Sequence, residues 1–250
     1  PVDEKTLCSK GRFGFGELIG KDRLTTPLVR KNGVLTPVSY EEAAIYTAKK
    51  LQGFAVRNGK DSVAVSISDK LTTEEIYLAK KYAEDVVNAG SVFCFNYSKN
   101  GVKDVIGFDG STVTETEVLS ANVIVLVGTD LMNDHASFGV TVRQAVKRGA
   151  KLVVISNKPQ SQEAKEADIF VNADSTESLK AILKALVEKG CTAEGIDALN
   201  VSLKDTVVTD DAVKVCEMLL DKNNKKAVIV TDQFNTSYEC AKAAADIAVL

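Results

Sequence analysis

The chain has 250 residues, of which 45% are hydrophobic and 26% charged, and its net charge is −3 from 31 basic and 34 acidic residues. This length suits one large or two ordinary domains, and the composition is typical of a soluble globular protein. No apolar run approaches the roughly 18 residues that a membrane span needs, and the basic excess of a nucleic-acid binder is missing. We therefore expect neither membrane insertion nor nucleic-acid binding.

In chain order, the first half alternates helices with short, β-branched strands. Ser39 followed three residues later by Glu42 is a capping-box pattern, which predicts the start of an amphipathic helix. Apolar periodicity and flanking turn residues predict the other elements: a buried strand at 63–68, a helix from about Thr73, a strand at 91–95 and a polar loop at 98–111.

The second half shows the same alternation of strands and helices. Its predicted elements are a strand at 123–127, a helix at 137–148, a strand at 151–156, an extended run at 168–171, a helix at 176–189, a connecting stretch at 197–209, a helix near 210–220, a strand at 226–231 and a helix after Thr236. Strands that alternate with helices of this length require parallel crossovers. The sequence therefore predicts a doubly wound, mostly parallel α/β fold.

The cysteines are scattered and include no Cys-x-x-Cys pair: Cys8, Cys94, Cys191, Cys216 and Cys240. Their odd number and spacing are not those of a disulfide framework. We interpret the last four as small apolar residues of strands and helices. Without a disulfide pattern or a signal peptide, we expect a reducing, cytoplasmic location.

The opening of the chain carries the most specific motif. It reads Leu-Cys-Ser-Lys-Gly-Arg-Phe-Gly at 7–14 and Asp-Arg-Leu-Thr-Thr-Pro-Leu-Val-Arg at 22–30. These runs resemble the molybdopterin oxidoreductases, which include formate dehydrogenase catalytic subunits and the large iron–sulfur subunit of NADH:quinone oxidoreductases. The resemblance lies where the last cysteine of a 4Fe-4S site leads into the pterin-binding domain. It implies that Cys8 is a cluster ligand and that Lys10 lies between cluster and pterin.

This resemblance has a consequence for the length of the protein. A four-iron cluster needs four protein thiolates or close substitutes, and the family's three other cluster cysteines would precede Pro1. We therefore expect the chain to be a piece of a longer protein, with the 4Fe-4S cluster present only in that longer parent and the piece inactive alone. The domain organisation implied by the resemblance is a cluster-adjacent segment at 1–38, a first Rossmann-like subdomain at 39–110 plus 222–250, and a second at 111–221.

A second similarity to the family spans 123–155, where a strand, a glycine turn, a histidine, a helix and a further strand follow one another. In α/β nucleotide sites, loops and helix N-termini at the carboxyl ends of parallel strands offer N–H groups to phosphates. The cofactor-binding residues that the resemblance implies here, besides Lys10, are Gly128, Asp130, His135, Ser156, Asn157 and Lys158.

Several departures from the family argue against a bound molybdopterin guanine dinucleotide. His135 is followed by Ala136 where the family has proline, and 156–158 reads Ser-Asn-Lys in place of Asp-Pro-Arg. Asp130 and Asp134 place negative charge beside a pyrophosphate position, which weakens anion binding unless a cation such as Lys158 is close.

The metal-ligand position gives a sharper test. Catalytic members of the family carry a cysteine or selenocysteine just before His-Gly in the loop after the strand at 91–95. The corresponding position falls near Lys99, and an ammonium group does not bind molybdenum or tungsten as a thiolate does. Cys94 stands too early, inside the strand. We therefore expect no molybdenum and no formate chemistry.

Three functions remain open. The first is a metal-free module of an electron-transferring oxidoreductase subunit, similar to the large subunit of NADH:quinone oxidoreductase, with the other subunits of a redox complex as partners. The second is part of a catalytic formate dehydrogenase that holds a molybdenum– or tungsten–pterin through residues outside this piece. The third is a scaffold that binds neither cluster nor pterin.

Overall fold

A computed structural model describes residues 7–20, 22–95, 101–232 and 235–250. The chain divides into two compact units, an N-terminal unit of Ser9–Ser98 and a C-terminal unit of Lys99–Leu250 with Pro1–Cys8. Lys99, which the sequence placed at the metal-ligand position, lies outside the described residues. Within the described ranges, no helix is both long and apolar enough to cross a membrane.

The N-terminal unit contains two small sheets. Its elements are α1 (Ser9–Phe13), β1 (Leu28–Lys31), β2 (Val34–Pro37), α2 (Tyr40–Asn58), β3 (Ala64–Ser66), α3 (Thr73–Lys81) and β4 (Ser91–Phe93), with 3-10 turns at Gly14–Ile19 and Lys60–Ser62 and a π-helical turn at Tyr82–Val86. Strands β1 and β2 pair antiparallel, whereas β3 and β4 pair parallel.

The β1–β2 hairpin was not predicted from the sequence, although its turn carries a strong signal. Asn32 and Gly33 both have positive φ, at 51° and 85°, and Asn-Gly is a preferred pair for a two-residue hairpin turn. The predicted helix start at Ser39 is confirmed, because its hydroxyl accepts the N–H of Glu42 at 3.1 Å. The Glu42 carboxylate pairs with the Lys31 ammonium at 2.5 Å, which links α2 to the hairpin.

The C-terminal unit is a four-stranded parallel sheet between two layers of helices. Its elements are α4 (Val102–Ile106), α5 (Glu115–Leu119), β5 (Val123–Val127), α6 (Leu131–Asp134), α7 (Ala136–Lys147), β6 (Lys151–Ile155), α8 (Gln162–Glu166), β7 (Ile169–Val171), α9 (Ser175–Glu188), α10 (Ile196–Ser202), α11 (Asp210–Leu220), β8 (Ala227–Thr231) and α12 (Tyr238–Val249). The strand order is β7-β6-β5-β8, and every pair is parallel. The predicted α/β class is confirmed.

The sheet separates two hydrophobic cores. Side chains alternate along β5, so Val123, Val125 and Val127 pack toward the helices α9, α11 and α12. Ile124 and Leu126 pack toward α5 and α7 on the opposite face. All five residues of β5 are buried, as the central position of the strand requires.

The cysteines occupy different environments. Cys216 and Cys240 are buried in the core formed by α9, α11 and α12, which confirms their predicted role as small apolar residues. Cys191 is half-buried against the same core. Cys94 is half-buried too, and it follows the last residue of β4 rather than lying within the strand.

The placement of the last strand differs from the domain organisation given above, in which 222–250 rejoined the first subdomain. Strand β8 pairs with β5, with Ala227 opposite Val123 and Thr231 opposite Val127. Helix α12 packs against α9 and α4. The physical reason is that the apolar, five-residue β8 matches the length of the buried β5, so the pair completes one sheet.

Candidate functional site

The strand order places a crevice in the C-terminal unit. The chain runs from β5 through β6 to β7 on one side of β5 and then returns to place β8 on its other side. In open α/β sheets, ligands bind beyond the carboxyl ends of the strands, where the strand order reverses. That point lies between Gly128, which follows β5, and Asp232, which follows β8.

Gly128 forms the floor of this crevice. Its φ is +66°, and its N–H already donates to the carbonyl of Ile155 at 2.9 Å. A Cβ atom on Gly128 would lie 3.0 Å from the Thr236 methyl carbon and 3.3 Å from the Asn235 carbonyl oxygen. The space above the glycine is therefore filled by the segment after β8, and the glycine N–H is not free to bind a phosphate.

A hydrogen-bonded turn holds that segment in place. The main-chain carbonyl of Asp232 accepts the N–H of Asn235 at 3.1 Å and the N–H of Thr236 at 2.9 Å. The Thr236 hydroxyl donates to the same carbonyl at 2.6 Å. Three donors on one carbonyl oxygen fix Thr236 over Gly128.

The Asp232 carboxylate ties the turn to the opposite wall. Its side chain is only 3% exposed, and its Oδ2 lies 3.1 Å from Nε2 of His135. The same oxygen accepts the Asn235 amide at 2.6 Å, and that amide also donates to Asp134 at 3.3 Å. Which of the two side chains donates across the His135–Asp232 contact depends on the tautomer of the imidazole ring.

The electrostatic balance of the crevice is acidic. Asp130, Asp134 and Asp232 contribute three carboxylates, whereas Lys158 is the nearby cation, with its ammonium 4.0 Å from the Asp134 carboxylate. Asp130 accepts the Asn133 amide at 2.9 Å through one oxygen. Its other oxygen and the Thr129 hydroxyl are buried with no hydrogen-bond partner in the part of the chain described.

The structure brings together some of the residues that the sequence analysis named. Gly128, Asp130 and His135 lie around the crevice, and Lys158 reaches it through Asp134. Ser156 is 1% exposed and accepts the N–H of Lys158 at 3.2 Å, so it stabilises its own turn.

The other named residues lie elsewhere. Asn157 is exposed. Cys8 is half-buried and belongs to the C-terminal unit, whereas Lys10 is exposed on α1 in the N-terminal unit. Across the described residues, no group of three or more His, Cys, Asp or Glu side chains could hold a metal ion.

Sequence reasoning missed Asp232, Asn235 and Thr236. The strand at 226–231 was predicted, and the carboxyl end of a parallel strand is where ligand-facing residues are expected. The residues after the strand at 226–231 were not considered for the site because that strand was assigned to the other subdomain.

The fold and the crevice define a doubly wound α/β module with the layout of a nucleotide-binding domain. A family model described as molybdopterin oxidoreductase matches residues 23–250, and the chain belongs to that family. This confirms the family resemblance, and the match includes the runs at 23–30 and 123–155; the run at 7–14, with Cys8 and Lys10, lies before it, so the cluster role of that run stays a prediction.

Known relatives are much longer than this chain. It is 28% identical over 198 residues to "Putative formate dehydrogenase YrhE" of Bacillus subtilis (strain 168), covering 76% of this chain and 20% of that protein. It is 26% identical over 230 residues to "Probable oxidoreductase YjgC" of the same organism, covering 89% and 23%. The chain thus spans about a fifth of the length of these curated relatives. Acetylene hydratase from Pelobacter acetylenicus shares the fold, with a TM-score of 0.73 at 19% identity, covering 96% of this chain and 37% of that one.

The family implies a molybdopterin-type cofactor, and the crevice does not fit the pyrophosphate of its dinucleotide form. The Gly128 N–H is already bonded, and Thr236 fills the space above it. Anion binding at a strand end requires free N–H groups and a favourable charge, and three carboxylates with one lysine give the opposite balance.

Proposed function

We propose that this chain is a module of an electron-transferring oxidoreductase subunit, similar to the large subunit of NADH:quinone oxidoreductase. We also propose that the crevice between Gly128 and Asp232 holds no metal–pterin dinucleotide. Within a redox complex the module serves as the folded support beside an iron–sulfur cluster, and the other subunits of that complex are its partners. The observation that carries the proposal is the position of Thr236 over Gly128, with the Thr236 methyl carbon 3.0 Å from a Cβ built on that glycine.

Two features support the proposal that the crevice holds no metal–pterin dinucleotide. The His135–Asp232–Asn235 hydrogen bonds join its two walls directly. The acidic excess opposes a diphosphate, because unit charges of like sign about 4 Å apart repel by about 1 kcal/mol even in bulk water. A phosphate would have to displace the turn after β8 and overcome this repulsion.

A direct test is titration of the chain with GDP, which carries the guanine and diphosphate of the dinucleotide. Calorimetry up to about 1 mM GDP, a concentration that detects interactions of about −4 kcal/mol, should show no binding. The Gly128 amide resonance should not move. Binding accompanied by a shift of the Gly128 amide would overturn the proposal.

The cluster role is tested in the protein in its longest native form. If Cys8 is an iron ligand, Cys8→Ser should lose iron and electron transfer together, because only the thiolate bonds to iron. Lys10→Ala should keep the iron and slow electron transfer. Cys94→Ser is the matched control and should keep both, and equal iron content in Cys8→Ser and wild type would remove the cluster role.

The second candidate is a catalytic subunit of formate dehydrogenase type. The curated relatives named above favour it, since the first of them bears that name. Elemental and pterin analysis of the native protein separates the candidates. Iron without molybdenum, tungsten or pterin supports our proposal. Iron together with a metal–pterin supports the catalytic candidate. A protein that contains neither iron nor a metal–pterin supports the scaffold.

A further inference from the structure

The turn of the β1–β2 hairpin exposes an asparagine–glycine pair. Asn32 and Gly33 are both exposed, and no atom lies within 4 Å of the position that a Cβ on Gly33 would take. Among the described residues, neither the Asn32 side chain nor the Gly33 N–H makes a hydrogen bond. The side-chain amide and the main-chain nitrogen that follows it are therefore both open to reaction.

Such a pair can cyclise with water as the only co-reactant. The Gly33 nitrogen loses its proton and attacks Cγ of Asn32, which closes a five-membered imide. The bond from Cγ to the side-chain nitrogen breaks, and that nitrogen leaves as ammonia with the proton that Gly33 lost. Water then opens the imide at either carbonyl and gives aspartate or isoaspartate. The Arg30 guanidinium, 2.6 Å from the Gly33 carbonyl oxygen, favours the deprotonated nitrogen by its positive charge.

A second asparagine–glycine pair, at the end of α2, has the same exposure but different bonding. Asn58 and Gly59 are both exposed, and a basic residue precedes them as it does in the hairpin turn. The Gly59 N–H donates to the carbonyl of Ala55 at 2.9 Å, and the Asn58 amide donates to the carbonyl of Phe54 at 3.2 Å. Both reacting groups are therefore held by the helix, and cyclisation must first break these two hydrogen bonds.

A third pair gives a control of identical sequence. Residues 99–102 read Lys-Asn-Gly-Val, as residues 31–34 do. Asn100 lies outside the described residues, whereas Gly101 is buried. A Cβ on Gly101 would collide with the main-chain carbonyl oxygen of Tyr238 and lie 2.7 Å from Cβ of Lys242. Helix α12 thus crowds the nitrogen of this glycine, and any difference in reactivity from Gly33 comes from the fold.

We propose that Asn32 is a modification site of the folded chain, where deamidation through the cyclic imide yields aspartate and isoaspartate, and that Asn58 is protected. Isoaspartate adds one carbon to the main chain of a two-residue turn. Turn length sets the register of a hairpin, so the pairing of Lys31 with Val34 should be lost. The proposal involves neither the Gly128 crevice nor a cofactor, so it stands or falls independently of the proposed function.

The test follows all three asparagines in one sample. The chain is incubated in mildly alkaline buffer and digested at acidic pH, and tandem mass spectrometry separates asparagine, aspartate and isoaspartate at each site. In the folded chain, Asn32 should react at least about tenfold faster than Asn58, because the hydrogen bonds at Asn58 oppose cyclisation. Asn32 should also react faster than Asn100. In urea the three sites should react at similar rates, because their sequences are alike.

Two variants and one structural readout complete the test. Asn32→Gln should abolish the mass gain in the peptide that contains residue 32, because glutamine would have to close a six-membered ring. Asn58→Gln, the matched control, should leave the rate at Asn32 unchanged. Hydrogen exchange of the β1 and β2 amides should be faster in the isoaspartate fraction than in the unmodified chain.

Three results would overturn the proposal. The first is a folded-state rate at Asn32 that is equal to or below the rate at Asn58. The second is a product at Asn32 that contains aspartate but no isoaspartate, since hydrolysis without the imide gives aspartate alone. The third is unchanged hydrogen exchange of the hairpin in the isoaspartate fraction, since the turn would then have kept its register.

Discussion

The two units of this chain share the same alternation of strands and helices but differ in what they bury. In the C-terminal unit, all five residues of β5 are buried between two helical layers. In the described part of the N-terminal unit, the parallel sheet has two strands, and neither α2 nor α3 contains a buried residue. Phe54, which belongs to the apolar spacing of α2, is 50% exposed, and Leu78 of α3 is 62% exposed.

This difference shows that apolar periodicity specifies elements without specifying a core. A helix is covered only when the sheet beneath it is wide enough, and a two-stranded sheet is marginal on its own. The C-terminal unit has four strands and two continuous cores, so its side chains are removed from water on both faces. We therefore expect most of the stability of the chain to come from the C-terminal unit.

The largest effect should come from a matched pair of leucine truncations. Leu126→Ala removes a side chain that is 0% exposed in β5 and should cost about 3 kcal/mol in the free energy of unfolding. Leu78→Ala, at 62% exposed in α3, should cost less than about 0.5 kcal/mol. Urea unfolding followed by circular dichroism measures both values, and comparable costs would show that α3 is covered in solution.

A smaller effect is expected from a matched pair of glycine substitutions. Gly33 and Gly128 both have positive φ, so alanine at either position should cost about 1 kcal/mol in backbone strain. At Gly33 nothing lies within 4 Å of the new Cβ, whereas at Gly128 the Thr236 methyl carbon lies at 3.0 Å. We expect Gly128→Ala to cost about 1 kcal/mol more than Gly33→Ala.

A double mutant tests whether Thr236 causes the difference. Thr236→Ser removes only the methyl group and keeps the hydroxyl that donates to the Asp232 carbonyl. In that background, the extra cost of Gly128→Ala should fall by about half or more, because residues in contact show non-additive effects. Strictly additive costs would mean that Thr236 does not close the crevice floor.

The elements of the C-terminal unit could be predicted because their signals are local. The strand at 123–127 is a continuous apolar run, and the helix at 210–220 has an apolar stripe, so both were predicted with the bounds that the structure shows. Helix α10 was missed because its seven residues, Ile196–Ser202, bury no side chain and carry a weak apolar pattern.

Half of the candidate site could not be read from the sequence, for a physical reason. Gly128, Asp130 and His135 are close in sequence to one predicted strand, so a local motif was sufficient to find them. Asp232 lies about a hundred residues further along the chain, and its contact with His135 depends on β8 pairing with β5. Strand pairing is a long-range property that local sequence patterns do not determine.

The smallest predicted effect is the loss of folding stability at alkaline pH, and it compares a cysteine of the C-terminal unit with one of the N-terminal unit. Burial in the C-terminal core raises the pKa of the Cys240 thiol to about 11. In the unfolded chain the thiol loses its proton near its ordinary pKa of about 8.5. The unfolded state therefore gains stability first as the pH rises, so the contribution of Cys240 to folding stability is complete below about pH 8.5 and is lost progressively up to about pH 11.

Cys240→Ala should reduce the loss of folding stability at alkaline pH by an amount on the order of 1 kcal/mol. Some loss should remain, because burial also raises the pKa of Cys216. Cys94→Ala, at a half-buried position in the N-terminal unit, is the control and should keep the wild-type loss because Cys240 is still present. The measurement is the free energy of unfolding in urea at pH 8 and at pH 10.5. A pH dependence that Cys240→Ala leaves unchanged would mean that the Cys240 thiol is in contact with water, and that the core beneath α12 is less closed than the structure indicates.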